Sequence, residues 1–113
     1  MGDHCVFCKI IRGEIPSNKV HEDDQVLAFT DIHPAAPTHV LIIPKTHIET
    51  IEDIPSGDHL VSLLTERAIQ VAKQLNLREG YRLVINNGDN GGQTVYHLHL
   101  HLLGGRFMTW PPG

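Results

Sequence analysis

The chain has no cluster of lysine or arginine. Its nine basic residues are scattered among thirteen acidic ones, leaving a formal charge of −4 over 113 residues. That balance argues against a duplex nucleic-acid partner, which needs a concentrated positive face. No apolar run approaches the length of a membrane span, so no membrane partner is expected. The opening Met-Gly-Asp-His lacks the pattern of a secretory leader, and the expected location is cytoplasmic. Only two cysteines are present, and Cys5 and Cys8 are too close in sequence for an ordinary structural staple. There is no internal repeat and no linker-like stretch, so residues 1–113 read as one domain. A domain of this length buries roughly two-thirds of its unfolded surface.

Apolar periodicity divides the chain into elements. Val6, Phe7, Ile10 and Ile11 form a stripe on a short helix over 4–12, with Gly13 as its C-terminal cap. Lys19 to Glu22 and Gln25 to Asp31 read as a hairpin turning at Asp23-Asp24. Thr38 to Ile43 suits a central strand that Pro44 closes. Ser56 is the expected N-cap of a helix running to about Leu75, with Leu60, Leu64, Ala68, Val71, Ala72 and Leu75 on its apolar face. Tyr81 to Asn86 is a further strand, and Asn87 to Gln93 is a glycine-rich loop. The tail from Gly104 to Gly113 reads as an extended segment. The order suggests α+β with an antiparallel sheet.

What the chain has in excess is histidine: nine in all, three of them in His97-Leu98-His99-Leu100-His101. On a strand, alternate side chains face opposite ways. The leucines then enter a core, and the histidines line up on the other face around one small anion or metal ion. The preceding Gly88-Asp89-Asn90-Gly91-Gly92-Gln93-Thr94 offers backbone N–H groups, an amide and a hydroxyl, all groups that bind phosphate. Cys5-x-x-Cys8 has the spacing of a zinc half-site. It needs two more ligands, and His47 and His97 are the candidates. Spacing alone also allows two free thiols on a short helix.

The run Gly91-Gly92-Gln93-Thr94-Val95-Tyr96 followed by the triad resembles the signature of the histidine triad (HIT) superfamily. Gly104-Gly105-Arg106 and Trp110-Pro111-Pro112-Gly113 make it most similar to the histidine triad nucleotide-binding branch. The resemblance extends over Lys9-Ile10-Ile11, Glu14-Ile15-Pro16, Phe29-Thr30-Asp31-Ile32, Ala36-Pro37-Thr38-His39 and Ile43-Pro44-Lys45. It implies a HIT-like α+β fold: a five-stranded antiparallel sheet, one long and one short helix, and a homodimer whose two sheets join. It implies hydrolysis of purine nucleoside 5′-phosphoramidates, adenosine derivatives especially, through a nucleotidyl-histidine.

Carried over, His99 is the nucleophile, His101 contacts the phosphate near the leaving group, and His97 and His39 complete a catalytic four-histidine cluster. Phe7, Phe29, Asp31 and Ile32 are implied on the nucleoside side, where Asp31 would otherwise be a plain turn former. Asn86, Gly92, Gln93, Thr94 and Val95 are implied on the phosphate side. Trp110, otherwise a packing anchor, is implied near the nucleotide. By similarity to uridylyltransferases of the same superfamily, Cys5, Cys8, His47 and His97 are assigned to a structural zinc. Two displacements at a histidine require no metal for the chemistry itself. A nucleotide-binding scaffold with incidental catalysis is one competing reading. Hydrolysis of dinucleoside polyphosphates is another, and the Gly104-Gly105-Arg106 and Trp-Pro-Pro-Gly segments argue against it.

Overall fold

Residues 4–113 are described by the computed structural model; Met1–Asp3, on which part of the leader reading rests, lie outside the described residues. Helix α1 spans Val6–Ile11. Cys5 is its N-cap, with Sγ accepting from the Cys8 N–H at 3.3 Å. Gly13, at φ 79°, ends it as expected. The amides of Gly13 and Glu14 return to the carbonyls of Ile10 and Lys9 at 3.0 and 2.9 Å, a closure that needs a left-handed residue at this point.

Strands β1 (Lys19–Glu22), β2 (Val26–Thr30) and β3 (Thr38–Pro44) follow. A single 3-10 turn, Ile51–Asp53, precedes helix α2 (Leu60–Gln74), and β4 (Tyr81–Val84) and β5 (Leu100–Gly104) complete the sheet. All pairings are antiparallel, in the order β1-β2-β3-β5-β4. The expected five-stranded α+β architecture is therefore present.

The sheet separates two apolar layers. Val26, Ala28, Val40, Ile42, Leu98, Leu100 and Leu102 pack under Leu64, Ala68, Val71 and Ala72 of α2. Leu27, Phe29, Leu41 and Ile43 pack on the opposite face, against Phe7 and Ile10 of α1. Strict alternation along β2, β3 and β5 divides the side chains between the layers. The start of the histidine face is thus covered: His97 and His99 are buried with Phe7 of α1 against their rings, while His101 is only partly buried.

Helix α1 and strands β2 and β4 are each shorter than expected by one or two residues at an end, and two further boundaries differ for identifiable reasons. Ser56 does not cap α2. Asp58 N–H closes a turn on the Pro55 carbonyl, Gly57 adopts φ 85°, and the Asp58 carboxylate accepts from Leu60 N–H at 2.9 Å. A left-handed glycine one residue after Ser56 stops the helix from starting there. The regular ladder of the histidine segment also starts late, at Leu100. Before it, Leu98 N–H bonds the Ile48 carbonyl at 2.7 Å, outside the sheet, while the leucine–histidine alternation persists.

Candidate active site

Local hydrogen bonds decide which nitrogen of each buried imidazole carries its proton, because a carbonyl can only accept and an amide N–H can only donate. His99 Nδ1 lies 2.8 Å from the His97 carbonyl. Nδ1 is therefore the protonated nitrogen, and Nε2 presents a lone pair. His39 is set the opposite way. Its Nδ1 accepts the Ala35 N–H at 3.0 Å, so its Nε2 carries the proton and donates to His101 Nδ1 at 2.9 Å. His101 must then hold its proton on Nε2. That atom is buried and has no hydrogen-bond partner among the described residues. A nucleophilic lone pair and an unspent donor thus stand on neighbouring rings, whose centroids are 4.9 Å apart.

Asp31 follows β2 at the edge of this cluster. Its Oδ1 accepts from His33 N–H at 2.8 Å, the turn-forming contact, while Oδ2 is 3.5 Å from His39 Nε2. Phe7 meets His99, Phe29 and His97 edge to face at 5.2, 5.5 and 5.8 Å. These contacts fix the ring of His99 on its buried side.

Burial holds all four imidazoles below their ordinary pKa. Desolvation leads in each case, and His101 and His97 are lowered to about 4. Like charge from His99 and His39 adds to the effect at His101. At neutral pH His101 is a neutral donor. Because its folded pKa lies below the ordinary 6.5, the unfolded chain binds more protons in acid. This contribution is complete above about pH 6.5 and is lost as pH falls toward 4. A shift of that size at His101 corresponds to roughly 3 kcal/mol. Thermal melts should therefore show a level melting temperature above pH 6.5 and a steady fall below it. A melting temperature unchanged between pH 7 and 4.5 would contradict this assignment.

The second cluster comprises Cys5, Cys8, His47 and His97. His97 Nε2 donates to the Pro44 carbonyl at 2.9 Å, so its Nδ1 lone pair points inward. That nitrogen lies 3.1 Å from His47 Nδ1, 3.3 Å from Cys5 Sγ and 3.6 Å from Cys8 Sγ, and Cys8 Sγ lies 3.4 Å from His47 Nδ1. A tetrahedral zinc with bonds of about 2.0–2.3 Å sets its ligand atoms about 3.3–3.8 Å apart. The three separations that involve sulfur fall in that range and the His47–His97 pair is slightly closer, so the four atoms approximate that shell. Burial and the neighbouring Cys5 push the Cys8 thiol up to about 11, a cost that a bound cation reverses by favouring thiolate. Asp31, His39 and His101 also converge within metal-ligand range. There, however, Ala35 N–H forces a proton, not a lone pair, onto the inward nitrogen of His39. His39 and His101 form a hydrogen-bond relay instead, with the Asp31 carboxylate beside it.

The glycine-rich loop differs from its expected role. The amides of Gly91, Gly92 and Gln93 close on carbonyls within the loop, and Gly88 N–H donates to Gln93 Oε1. Gln93 Nε2 donates to the Glu49 and Val95 carbonyls. Its amide is wholly spent on bracing the loop and is no free phosphate contact. Gly91 is required here, since a Cβ would lie 2.3 Å from the Asn87 carbonyl oxygen. Asn86 Nδ2 reaches the Gly92 carbonyl at 3.5 Å. The amides that remain without partners among the described residues include those of Thr94 and Val95, just ahead of the triad. Ile32 and Trp110 lie outside the cluster, at 86% and 80% exposure. Trp110 is not packed on an apolar patch; the Arg82 guanidinium stands 5.9 Å from its ring centroid. Sequence reasoning missed the Ala35 N–H and the Pro44 carbonyl, the two groups that set the tautomers of His39 and His97. Backbone groups have no residue signature, and only the bracketing prolines 34 and 37 hint at an ordered turn around Ala35.

The sequence profile of the HIT domain matches residues 12–108. The chain belongs to the HIT family. A HIT family hydrolase from Legionella pneumophila superposes with a TM-score of 0.94 at 57% identity, covering 97% of this chain and all of that one. A histidine triad nucleotide-binding protein from Candida albicans superposes with a TM-score of 0.82 at 40% identity, covering 95% of this chain and 82% of that one. A 14 kDa zinc-binding protein of Zea mays is 52% identical over 112 residues, which are 96% of this chain and 87% of that protein. The HIT fold of this chain and its likeness to HIT hydrolases are thus established together.

Proposed function

We propose that this HIT protein hydrolyses purine nucleoside 5′-phosphoramidates through a nucleotidyl-histidine, and that it works as a homodimer. The observation that carries the reading is the pairing of the His99 Nε2 lone pair with the unspent N–H of His101. In the first displacement His99 Nε2 attacks the α-phosphorus. The P–N bond to the amine breaks with its electron pair on nitrogen, which takes up one proton drawn from solvent through the histidine cluster. In the second, water attacks phosphorus, the bond to His99 breaks, and one proton returns to solvent. The His101 Nε2–H and the amides of Thr94 and Val95 donate to phosphoryl oxygens as charge builds there. Asp31 Oδ2 accepts from ribose hydroxyls, the exposed Ile32 flanks the nucleoside, and Phe7 and Phe29 back the site from the core.

Zinc at Cys5, Cys8, His47 and His97 would have four protein ligands and a structural role. His97 is then a positioning group: its ring belongs to the metal cluster, and its carbonyl holds the Nδ1–H of His99. The homodimer reading is supported by β4, a four-residue edge strand with one side unpaired, and by the exposed Tyr81 in that strand and Ile69 on α2. Purified protein is expected to release AMP from a fluorogenic adenosine phosphoramidate and to scatter light with twice the chain mass. Absence of AMP release, with AMP still bound, would favour the scaffold reading instead.

A further inference from the structure

Gly104-Gly105-Arg106 has no part in the chemistry described so far, yet it lies against the loop that controls His39. Gly105 adopts φ 89°, and a Cβ there would meet Pro37 Cβ at 2.9 Å. Arg106 uses its two terminal nitrogens separately. One donates to the Phe107 carbonyl and the other to the Ala35 carbonyl, both at 3.1 Å. The guanidinium thus ties the turn after β5 to residue 35, whose own N–H selects the tautomer of His39.

We propose that Arg106 is a positioning residue for the histidine relay, holding the Ala35 backbone so that His39 and His101 keep their protons on Nε2. The proposal rests on the reading of His101 as the phosphoryl donor. Its physical basis is a two-way choice. With Ala35 N–H in place, His39 Nδ1 must accept, and the relay runs Ala35 to His39 to His101 and outward. With that N–H displaced, His39 is free to carry its proton on Nδ1. Its Nε2 then accepts from His101 Nδ1–H, and His101 turns a lone pair toward the phosphate. The reversed relay satisfies the same inner hydrogen bond, so the pair alone has little preference between the two directions. The Asp31 carboxylate, 3.5 Å from His39 Nε2, favours a proton on that nitrogen but makes no close hydrogen bond to it. The direct hydrogen bond that selects the direction comes from Ala35, and Arg106 is the side chain that fixes Ala35. A planar guanidinium can serve two carbonyls at once, whereas an ammonium is a single point of attachment.

The test is a long-range ¹H–¹⁵N spectrum of histidine-labelled protein, recorded without substrate, together with steady-state kinetics. Wild type is expected to show His39 and His101 as Nε2–H tautomers. Arg106→Ala is expected to shift both toward the Nδ1–H form while the melting temperature stays close to wild type. Its kcat should fall about tenfold with KM nearly unchanged, since misorientation of reacting groups acts on the chemical step. Arg106→Lys should restore part of both the tautomer population and kcat, and it decides the question by the same spectrum where the alanine variant does not fold. Wild-type tautomers in the folded variant would overturn the proposal. So would altered tautomers with undiminished kcat on a substrate that wild type turns over. Because the spectrum needs no substrate, a wild-type protein with no phosphoramidase activity counts against the proposed reaction and not against this clamp.

Discussion

His99→Ala is expected to abolish turnover while leaving AMP binding measurable. The replacement removes the only imidazole of the cluster whose free nitrogen faces outward as a lone pair. His101 has a proton at the corresponding position, His39 is engaged at both nitrogens, and His97 is turned toward the cysteines. None can take over the attack without reversing a tautomer held by backbone groups. The loss should be at least about a thousandfold in kcat, as for other covalent nucleophiles. Binding persists because Asp31, the Thr94 and Val95 amides and the His101 donor are untouched. The removed ring leaves space beside Phe7, so a destabilisation of about 1–3 kcal/mol should accompany the change. AMP release by chromatography and AMP affinity by calorimetry check the two halves separately. A mutant with wild-type turnover would reject His99 as nucleophile.

Cys5→Ser combined with Cys8→Ser should have its largest effect on stability. The two sulfurs hold the start of α1, whereas His47 follows β3 and His97 precedes β5. A metal among them ties three distant parts of the chain together. Elemental analysis of wild type purified without chelator should give about one zinc per chain, and the double variant none. Losing a bond network of this kind should cost several kcal/mol, enough to lower the melting temperature by roughly 10–20 °C in a domain of this size. Turnover should fall less than in the His99 variant. The His97 carbonyl reaches His99 through the backbone, and Pro44 still holds the ring of His97 after the sulfurs are gone. Metal-free wild type whose stability does not respond to added zinc would show the cysteines to be bystanders.

Much of the fold was legible because its signals are local or periodic. Alternation placed Leu98, Leu100 and Leu102 on one face, and helical spacing identified Leu64, Ala68, Val71 and Ala72. The start of α2 was misread because Ser56 fits an N-cap by type, but Gly57 adopts a backbone conformation that no helix start accepts. The cysteine pair was legible by its spacing and its partners His47 and His97 were assigned by resemblance; only the fold could show that the four potential ligand atoms converge. Gln93 looked like a phosphate contact because an amide is a good one; its engagement with the Glu49 and Val95 carbonyls depends on segments far apart in sequence. The proton positions on His39 and His97 were beyond reach for the same reason, being set by main-chain groups of Ala35 and Pro44.

The alternation of leucine and histidine over residues 97–102, leading into β5, leaves a question of alignment that the apolar layers alone do not answer. A slip of one residue exchanges the two faces and is strongly disfavoured. A slip of two residues sets leucine where leucine was and histidine where histidine was, so sidedness cannot detect it. It would nonetheless move every ring by about 6–7 Å along the strand and place the wrong imidazole opposite the phosphate. The ends of the segment distinguish the correct alignment. His97 must reach the cysteines, and Gly104 must lie under Leu77, where any Cβ would come within 2.8 Å of the leucine side chain. The cysteine–histidine cluster therefore acts as an index mark for a repetitive strand. Protein refolded without metal should contain a fraction whose rings are out of step with their neighbours, folded in outline and inert in chemistry.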